Sequence, residues 1–169
     1  WSSSGASGCT KCTKGKYLEG GGAVEAHNEE SDCKLCDAGK SSSDTGAKSE
    51  TNCQTCGAGR YSTAGQPCIG CAPGRFLDDA GGNVEQHNSP GDCKPCTPGK
   101  WSNRSYAQCS ICAAGSWSSD EAGACELCEG GTYLENNGTN ADAHNNKNLC
   151  LSCFQGEFAS AGSAACSVC

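Results

Sequence analysis

A small disulfide-rich repeat protein, an elongated ladder of short irregular β-hairpin modules with little helix, is the fold class this sequence predicts. Three observations carry that expectation. Cysteine supplies 18 of 169 residues, above the roughly 8–10% that marks a crosslinked scaffold. Every cysteine lies in a C-x-x-C pair, and none is left over. Leu, Ile, Val and Phe together make 15 residues, about 9%, far below the roughly 20% under which apolar burial no longer offsets the entropy of ordering a charged chain. A large hydrophobic core is excluded, so covalent crosslinks must supply what burial cannot.

The pairs are Cys9/Cys12, Cys33/Cys36, Cys53/Cys56, Cys68/Cys71, Cys93/Cys96, Cys109/Cys112, Cys125/Cys128, Cys150/Cys153 and Cys166/Cys169. Successive pairs are separated by 20, 16, 11, 21, 12, 12, 21 and 12 residues, so the repeating unit comes in a long and a short form. After the second Cys of a pair the chain reads x-x-Gly-x-aromatic: Gly15 and Tyr17, Gly59 and Tyr61, Gly74 and Phe76, Gly99 and Trp101, Gly115 and Trp117, Gly131 and Tyr133, Gly156 and Phe158. Seven of the ten aromatic residues occupy this one slot. Glycine there fits a turn that needs positive φ, and the aromatic two residues on is expected to open a short strand and cover a disulfide. The unit after Cys36 has Gly39 but Ser41 in place of the ring, and looser packing is expected there.

The long units share a second pattern, from Tyr17-Leu18-Glu19 to Val24-Glu25-Ala26-His27, from Phe76-Leu77-Asp78 to Val84-Glu85-Gln86-His87, and from Tyr133-Leu134-Glu135 to Ala141-Asp142-Ala143-His144. A turn is expected around Val24 to His27 and its two counterparts. Short, long and short units alternate in that order three times, which divides the chain into super-repeats 1–56, 57–112 and 113–169. The Trp1 to Cys12 segment aligns with Trp117 to Cys128, so the register predicts that the first super-repeat lacks its start and that the chain continues upstream. Each unit is expected to touch only its neighbours along the array.

The net charge of −7 is spread along the chain with no basic run, which argues against a nucleic-acid partner. No apolar stretch is long enough to insert into a membrane or to form the core of a signal peptide. Adjacent C-x-x-C pairs admit zinc ligation or disulfides. Four thiolates hold one tetrahedral zinc, so nine pairs leave one unmatched, and the uneven spacings promise no zinc-ribbon hairpin. A thioredoxin-like redox site needs one such pair on a βαβ scaffold, not nine in series. Disulfides in an oxidising compartment are the expectation and zinc the alternative; counting alone does not fix which cysteine bonds which.

The C-x-x-C and C-x-x-G-x-aromatic pattern resembles the first-type modules of tumour-necrosis-factor receptors and, more broadly, the tandem ephrin-receptor-like cysteine-rich repeats of large extracellular proteins. The resemblance covers all nine units. It implies that the second Cys of one pair bonds the first Cys of the next: Cys12–Cys33, Cys36–Cys53, Cys56–Cys68, Cys71–Cys93, Cys96–Cys109, Cys112–Cys125, Cys128–Cys150 and Cys153–Cys166. Cys9 and Cys169 are then left to bond partners outside the segment. The chain departs from the receptors in lacking their alternating modules with crossed disulfides.

Other residues are candidates for chemistry. His27, His87 and His144 recur with acids nearby, Glu19, Asp78 and Glu135 after the ring and Glu25, Glu85 and Asp142 two before the His. Carboxylates and imidazole can ligate a cation, but a copied structural hydrogen bond would recur in the same way, and no resident metal or cofactor is expected. Two N-glycosylation sequons, Asn103-Arg104-Ser105 and Asn137-Gly138-Thr139, lie between cysteine pairs. Ser2 to Ser4 and Ser41 to Ser43 read as turn-rich loops rather than sites of O-glycosylation. No nucleophile motif, phosphate loop or paired-acid cleft is present, so an enzyme is not expected. The functional expectation is a structural segment of an extracellular fibre or cell-surface rod whose partners are copies of itself, neighbouring repeats and glycans. The alternative is a cysteine-rich ectodomain that binds a protein ligand.

Overall fold

The computed structural model describes Ser2, residues 7–20 and residues 28–169. Trp1 and the expected turn from Val24 to His27 lie outside the described residues. Within them the chain is a succession of two-stranded antiparallel sheets joined by turns and short 3₁₀ segments, with no α-helix among the described residues. The chain divides into two compact units, Trp1–Gly70 with Asp78–Cys93, and Cys71–Leu77 with Lys94–Cys169.

In the first unit, Lys16–Tyr17 pairs with Lys34–Leu35, Lys40–Ser42 with Cys53–Thr55, and Arg60–Tyr61 with Ile69–Gly70. In the second, Arg75–Phe76 pairs with Lys94–Pro95, Lys100–Trp101 with Ser110–Ile111, Ser116–Trp117 with Glu126–Leu127, Thr132–Tyr133 with Leu151–Ser152, and Glu157–Phe158 with Ser167–Val168. One rule generates them all. The first strand is the residue after the motif glycine followed by the ring position, and the second lies at the middle of the next C-x-x-C pair. Side chains alternate along an extended segment, so two cysteines three residues apart face opposite ways. Each pair accordingly serves two bridges instead of closing on itself, as Cys33 bonded to Cys12 and Cys36 bonded to Cys53 show.

The turns follow from local chemistry. The motif glycines take φ of +72° to +88°, a region that costs a residue with a β-carbon about 1–2 kcal/mol. Two expected turns of the long units are 3₁₀ segments, Val84–His87 and Ala141–His144, each opened by an Asn whose side chain accepts the N–H two residues on. The turn before Cys93 starts with Ser89, whose Oγ accepts from Gly91 while Asp92 accepts from the Ser89 N–H.

Buried side chains are few and small. The core is mostly cystine, with Tyr17, Leu77 and Leu134, and with buried Ser and His. Tyr17 packs with Cys36, Cys53 and Ala47, so its ring lies over the disulfide of the following unit. Where Ser41 replaces the ring, open grooves run past Ser41, Ser42 and Ser43. Ser41 and Ser42 are buried, and their hairpin is the longest, three residues on each side.

Contacts also reach further than the nearest neighbour, which corrects the expectation from the repeat pattern. A β-carbon on Gly15 would meet Gln66, and one on Gly39 would meet Val84. In the second unit, Gly74 lies against Glu121, Gly99 against Ala141 and Gly115 against Gly162. Each of these partners belongs to the repeat two further on. The approach is main chain to main chain, possible only because the motif residue has no side chain.

Candidate functional site: the repeated junction

Cys12–Cys33, Cys36–Cys53 and Cys56–Cys68 are bridged in the first unit. Cys96–Cys109, Cys112–Cys125, Cys128–Cys150 and Cys153–Cys166 are bridged in the second. Cys71 and Cys93 are disulfide-bonded as well, while Cys9 and Cys169 carry free, exposed thiols. These bridges tie units along the chain, but the units meet through a hydrogen-bonded junction.

The carbonyl one residue after the motif glycine would be left facing the next unit. In four junctions a serine hydroxyl donates to it: Ser42 to Lys16 at 3.1 Å, and Ser62 to Lys40, Ser102 to Arg75 and Ser118 to Lys100, each at 3.0 Å. All four serines follow the ring position of the next unit, and all are buried. The motif N–H donates back, Gly39 to the carbonyl of Ser62, Gly74 to Ser102 and Gly99 to Ser118. Gly15 instead donates to Ser42 Oγ at 2.9 Å. A carbonyl left without a donor away from water costs about 1–3 kcal/mol, so this hydroxyl adds to the main-chain bonds that also cross each junction.

Long units have Leu where the short units have Ser, apart from the last short unit, which has Ala159, and buried Leu77 and Leu134 cannot donate. The recurrent histidine takes over. His87 Nδ1 lies 2.7 Å from the carbonyl of Arg60, and His144 Nδ1 lies 2.7 Å from that of Ser116. The carbonyls of His87 and His144 in turn accept the N–H of Ser62 and Ser118. Nε2 of His87 faces Asp79 Oδ1 at 2.9 Å, and Nε2 of His144 faces Asn136 Oδ1 at 3.0 Å. Both nitrogens of each ring are thereby engaged with oxygen atoms, and neither is presented to a metal ion. The hydrogen bond from His87, followed by those from the N–H groups of Asn83 and Gly81, holds the Asp79 carboxyl down at about 2. Glu85 and Asp142, singled out beside the histidines, are exposed, and His27 lies outside the described residues.

Exposed ion pairs dress the surface. Lys34 donates to Glu19 at 2.7 Å and Lys147 to Glu129 at 2.6 Å. The hydrogen bond and the charge of the partner push both lysines above the usual range and Glu129 below it. Arg75 and Glu121 make a third such pair at 2.5 Å, beside the approach of Gly74 to Glu121.

Two open grooves occupy equivalent positions. One, of about 310 Å³, is lined by Lys14, Ser41, Thr55, Gly57, Arg60 and Pro67; the other, of about 300 Å³, by Phe76, Pro95, Thr97, Lys100 and Gln108. Neither lining brings a histidine together with a carboxylate. The sequon residues Asn103 and Asn137 are both exposed, in loops where Ser105 and Gly138 take positive φ. Around the first, the rings of Trp101 and Tyr106 sit 6.0 Å apart. Exposed apolar side chains gather late in the chain, at Leu127, Leu151, Phe154, Phe158 and Val168. No helix among the described residues is long and apolar enough to cross a membrane.

The serine after the ring position is the functional residue that sequence reasoning missed. Its signal is visible afterwards: Ser42, Ser62, Ser102 and Ser118 in short units, with Ala159 in the last, and Leu18, Leu77 and Leu134 in long ones. No family model matches the chain, and no curated protein matches it.

Proposed function

We propose that this chain is a structural segment of an extracellular, disulfide-crosslinked fibre or cell-surface rod, such as a matrix, a cell coat or a flagellar-hair-like filament. The observation that carries the reading is the sameness of the junction. Six carbonyls at one motif position, of Lys16, Lys40, Arg60, Arg75, Lys100 and Ser116, each face a side-chain donor supplied by the following unit. A support needs one joint repeated, whereas a binding surface concentrates affinity in a few divergent anchors. Sixteen disulfide-bonded cysteines suit an oxidising environment, and an anionic surface suits a hydrated external polymer.

The alternative is a receptor or adhesion ectodomain. It is favoured by the exposed apolar side chains between Leu151 and Val168, of which Phe154 is 78% exposed. Electron microscopy and light scattering of the oxidised, glycosylated protein at micromolar concentration separate the two. Regular filaments or stiff rods support the structural reading. A flexible monomer that captures a defined soluble protein with nanomolar affinity overturns it.

A further inference from the structure

The repeat that lacks its ring is also where unpaired positive charge collects. Ser41 stands where Tyr17, Tyr61 and Phe76 stand in neighbouring repeats. Two open grooves run beside it and share Ser42, Ser43 and Gln54. The first, of about 310 Å³, is lined by Lys14 and Arg60; the second, of about 530 Å³, by Lys48. These volumes are those of small-ligand sites. Lys14 belongs to the first long repeat and Arg60 to a later short one, and the close approach of Gly15 to Gln66 brings them to one groove. Lys14 precedes that glycine, and Pro67, on the same wall as Arg60, follows Gln66. The stem of Lys11 lies against Gly46, which lines the second groove.

Lys11, Lys14, Lys48 and Arg60 are all exposed. None of the four is in an ion pair among the described residues, whereas Lys16 and Lys34 are taken by Glu30 and Glu19. Asp44 is the one acid in either lining, and the Ser43 hydroxyl donates to it at 3.4 Å. On a chain of net charge −7, four free cations along one groove set up a local field opposite in sign to the whole. The equivalent groove at Phe76 keeps its ring, and Lys100 is the one cation in its lining.

A small inorganic anion would leave most of this space empty. The other lining groups are hydroxyls and an amide, Ser43, Thr55 and Gln54. Gln54 Nε2 donates to the Thr51 carbonyl at 2.7 Å, which leaves Oε1 to accept from a ligand hydroxyl. Pro67 and the Cys56–Cys68 bridge offer an apolar surface on which the face of a sugar ring can lie. No large apolar side chain lines either groove, so a peptide finds no pocket for an anchoring side chain.

We propose that the groove beside Ser41 binds an acidic saccharide: Arg60 pairs with a sulfate or carboxylate group, Lys14 and Lys48 with further ones, and Ser43, Thr55 and Gln54 with sugar hydroxyls. The planar fork of Arg60 matches either anion through two parallel hydrogen bonds, while the lysines act as point charges. The site stands independently of whether the chain is a fibre segment or a receptor.

The test titrates the full, oxidised, ¹⁵N-labelled chain with sulfated maltohexaose, hexagalacturonate, unmodified maltohexaose, inorganic sulfate and hexaglutamate, at about 50 mM salt to limit screening. At least one of the two acidic hexasaccharides should bind. It should shift the amides of Ser43, Gln54, Thr55 and Arg60 and leave those of Thr97, Lys100 and Gln108 in place. Lys14→Gln combined with Arg60→Gln should lower the affinity at least about tenfold, and Lys100→Gln less than about twofold. Arg60→Lys alone should lose less than Arg60→Gln alone. Ser41→Tyr restores the ring and should weaken binding too; the exposed double variant carries the test if that protein does not fold. The proposal is overturned if neither acidic hexasaccharide binds, if unmodified maltohexaose, inorganic sulfate or hexaglutamate binds as tightly, if the double variant behaves like the parent protein, or if the shifted amides lie away from the groove.

Discussion

Gly74 lies against the main chain of Glu121, with no room between them for a β-carbon. Gly131 holds the same φ of +81° and has nothing within 4 Å of the position a β-carbon would take. The two therefore separate backbone strain from close approach within one motif. Gly131→Ala should cost about 1–2 kcal/mol, the penalty of the left-handed conformation alone. Gly74→Ala should pay that penalty and also force two segments of main chain apart, for a total above about 3 kcal/mol. Denaturant unfolding of the two oxidised variants measures the difference, and equal losses would show that the approach carries no energy.

Removing the junction hydroxyl should be felt although only one atom is lost. Ser102→Ala and Ser118→Ala each strip a part-buried carbonyl of its side-chain donor, Arg75 in one case and Lys100 in the other. A loss of about 1–3 kcal/mol is expected for each. Ser119→Ala, one residue along and exposed, should change stability by less than about 0.5 kcal/mol. Thermal unfolding of the three variants checks the ranking.

Acid should weaken the second long unit in a defined window. The Asp79 carboxyl is depressed to about 2 in the folded protein, against about 3.9 for an ordinary aspartate. A depressed carboxyl contributes its full stability above the unfolded value and loses it as the pH falls through the folded one. Asp79→Asn should therefore be less stable than the parent protein at pH 5, with the gap closing progressively between about pH 4 and about pH 2. Hydrogen exchange at Ser62 over that interval provides the measurement; a gap that widens on acidification would contradict the assignment.

The Cys112–Cys125 bridge closes a loop with a sequence separation of 13. Replacing both cysteines by serine should cost about 3 kcal/mol, most of it by freeing the unfolded chain. Non-reducing peptide mapping of the parent protein should recover this bridge intact. Comparative denaturation of the double variant gives the cost.

Much of the fold was legible because its signals are local. Gly15, Gly39 and their counterparts announce positive φ, the C-x-x-C spacing puts thiols on opposite faces, and Val84 to His87 turns where its pattern recurs. The junctions were not legible, for a physical reason. A serine after Tyr61 or Trp101 looks like any surface serine until the preceding unit brings its carbonyl within 3.0 Å. The histidines drew attention by recurring, yet the acids beside them in sequence are exposed while Asp79, eight residues away, reaches the ring. Contacts between Gly115 and Gly162 leave no trace in side-chain pattern, because main chain meets main chain there.

Those glycine contacts bear on how the array melts. With only adjacent couplings, a boundary between ordered and disordered repeats breaks one interface, and the chain can fray unit by unit. Here Gly74 and Gly99 each rest on the second repeat beyond their own, so a boundary placed between two repeats severs couplings of both ranges at once. Partly melted states become correspondingly rarer, and heat or denaturant should act on stretches of three or more repeats together. A tether made this way yields in few large steps under load, where one coupled only to its neighbours would lengthen in many small ones.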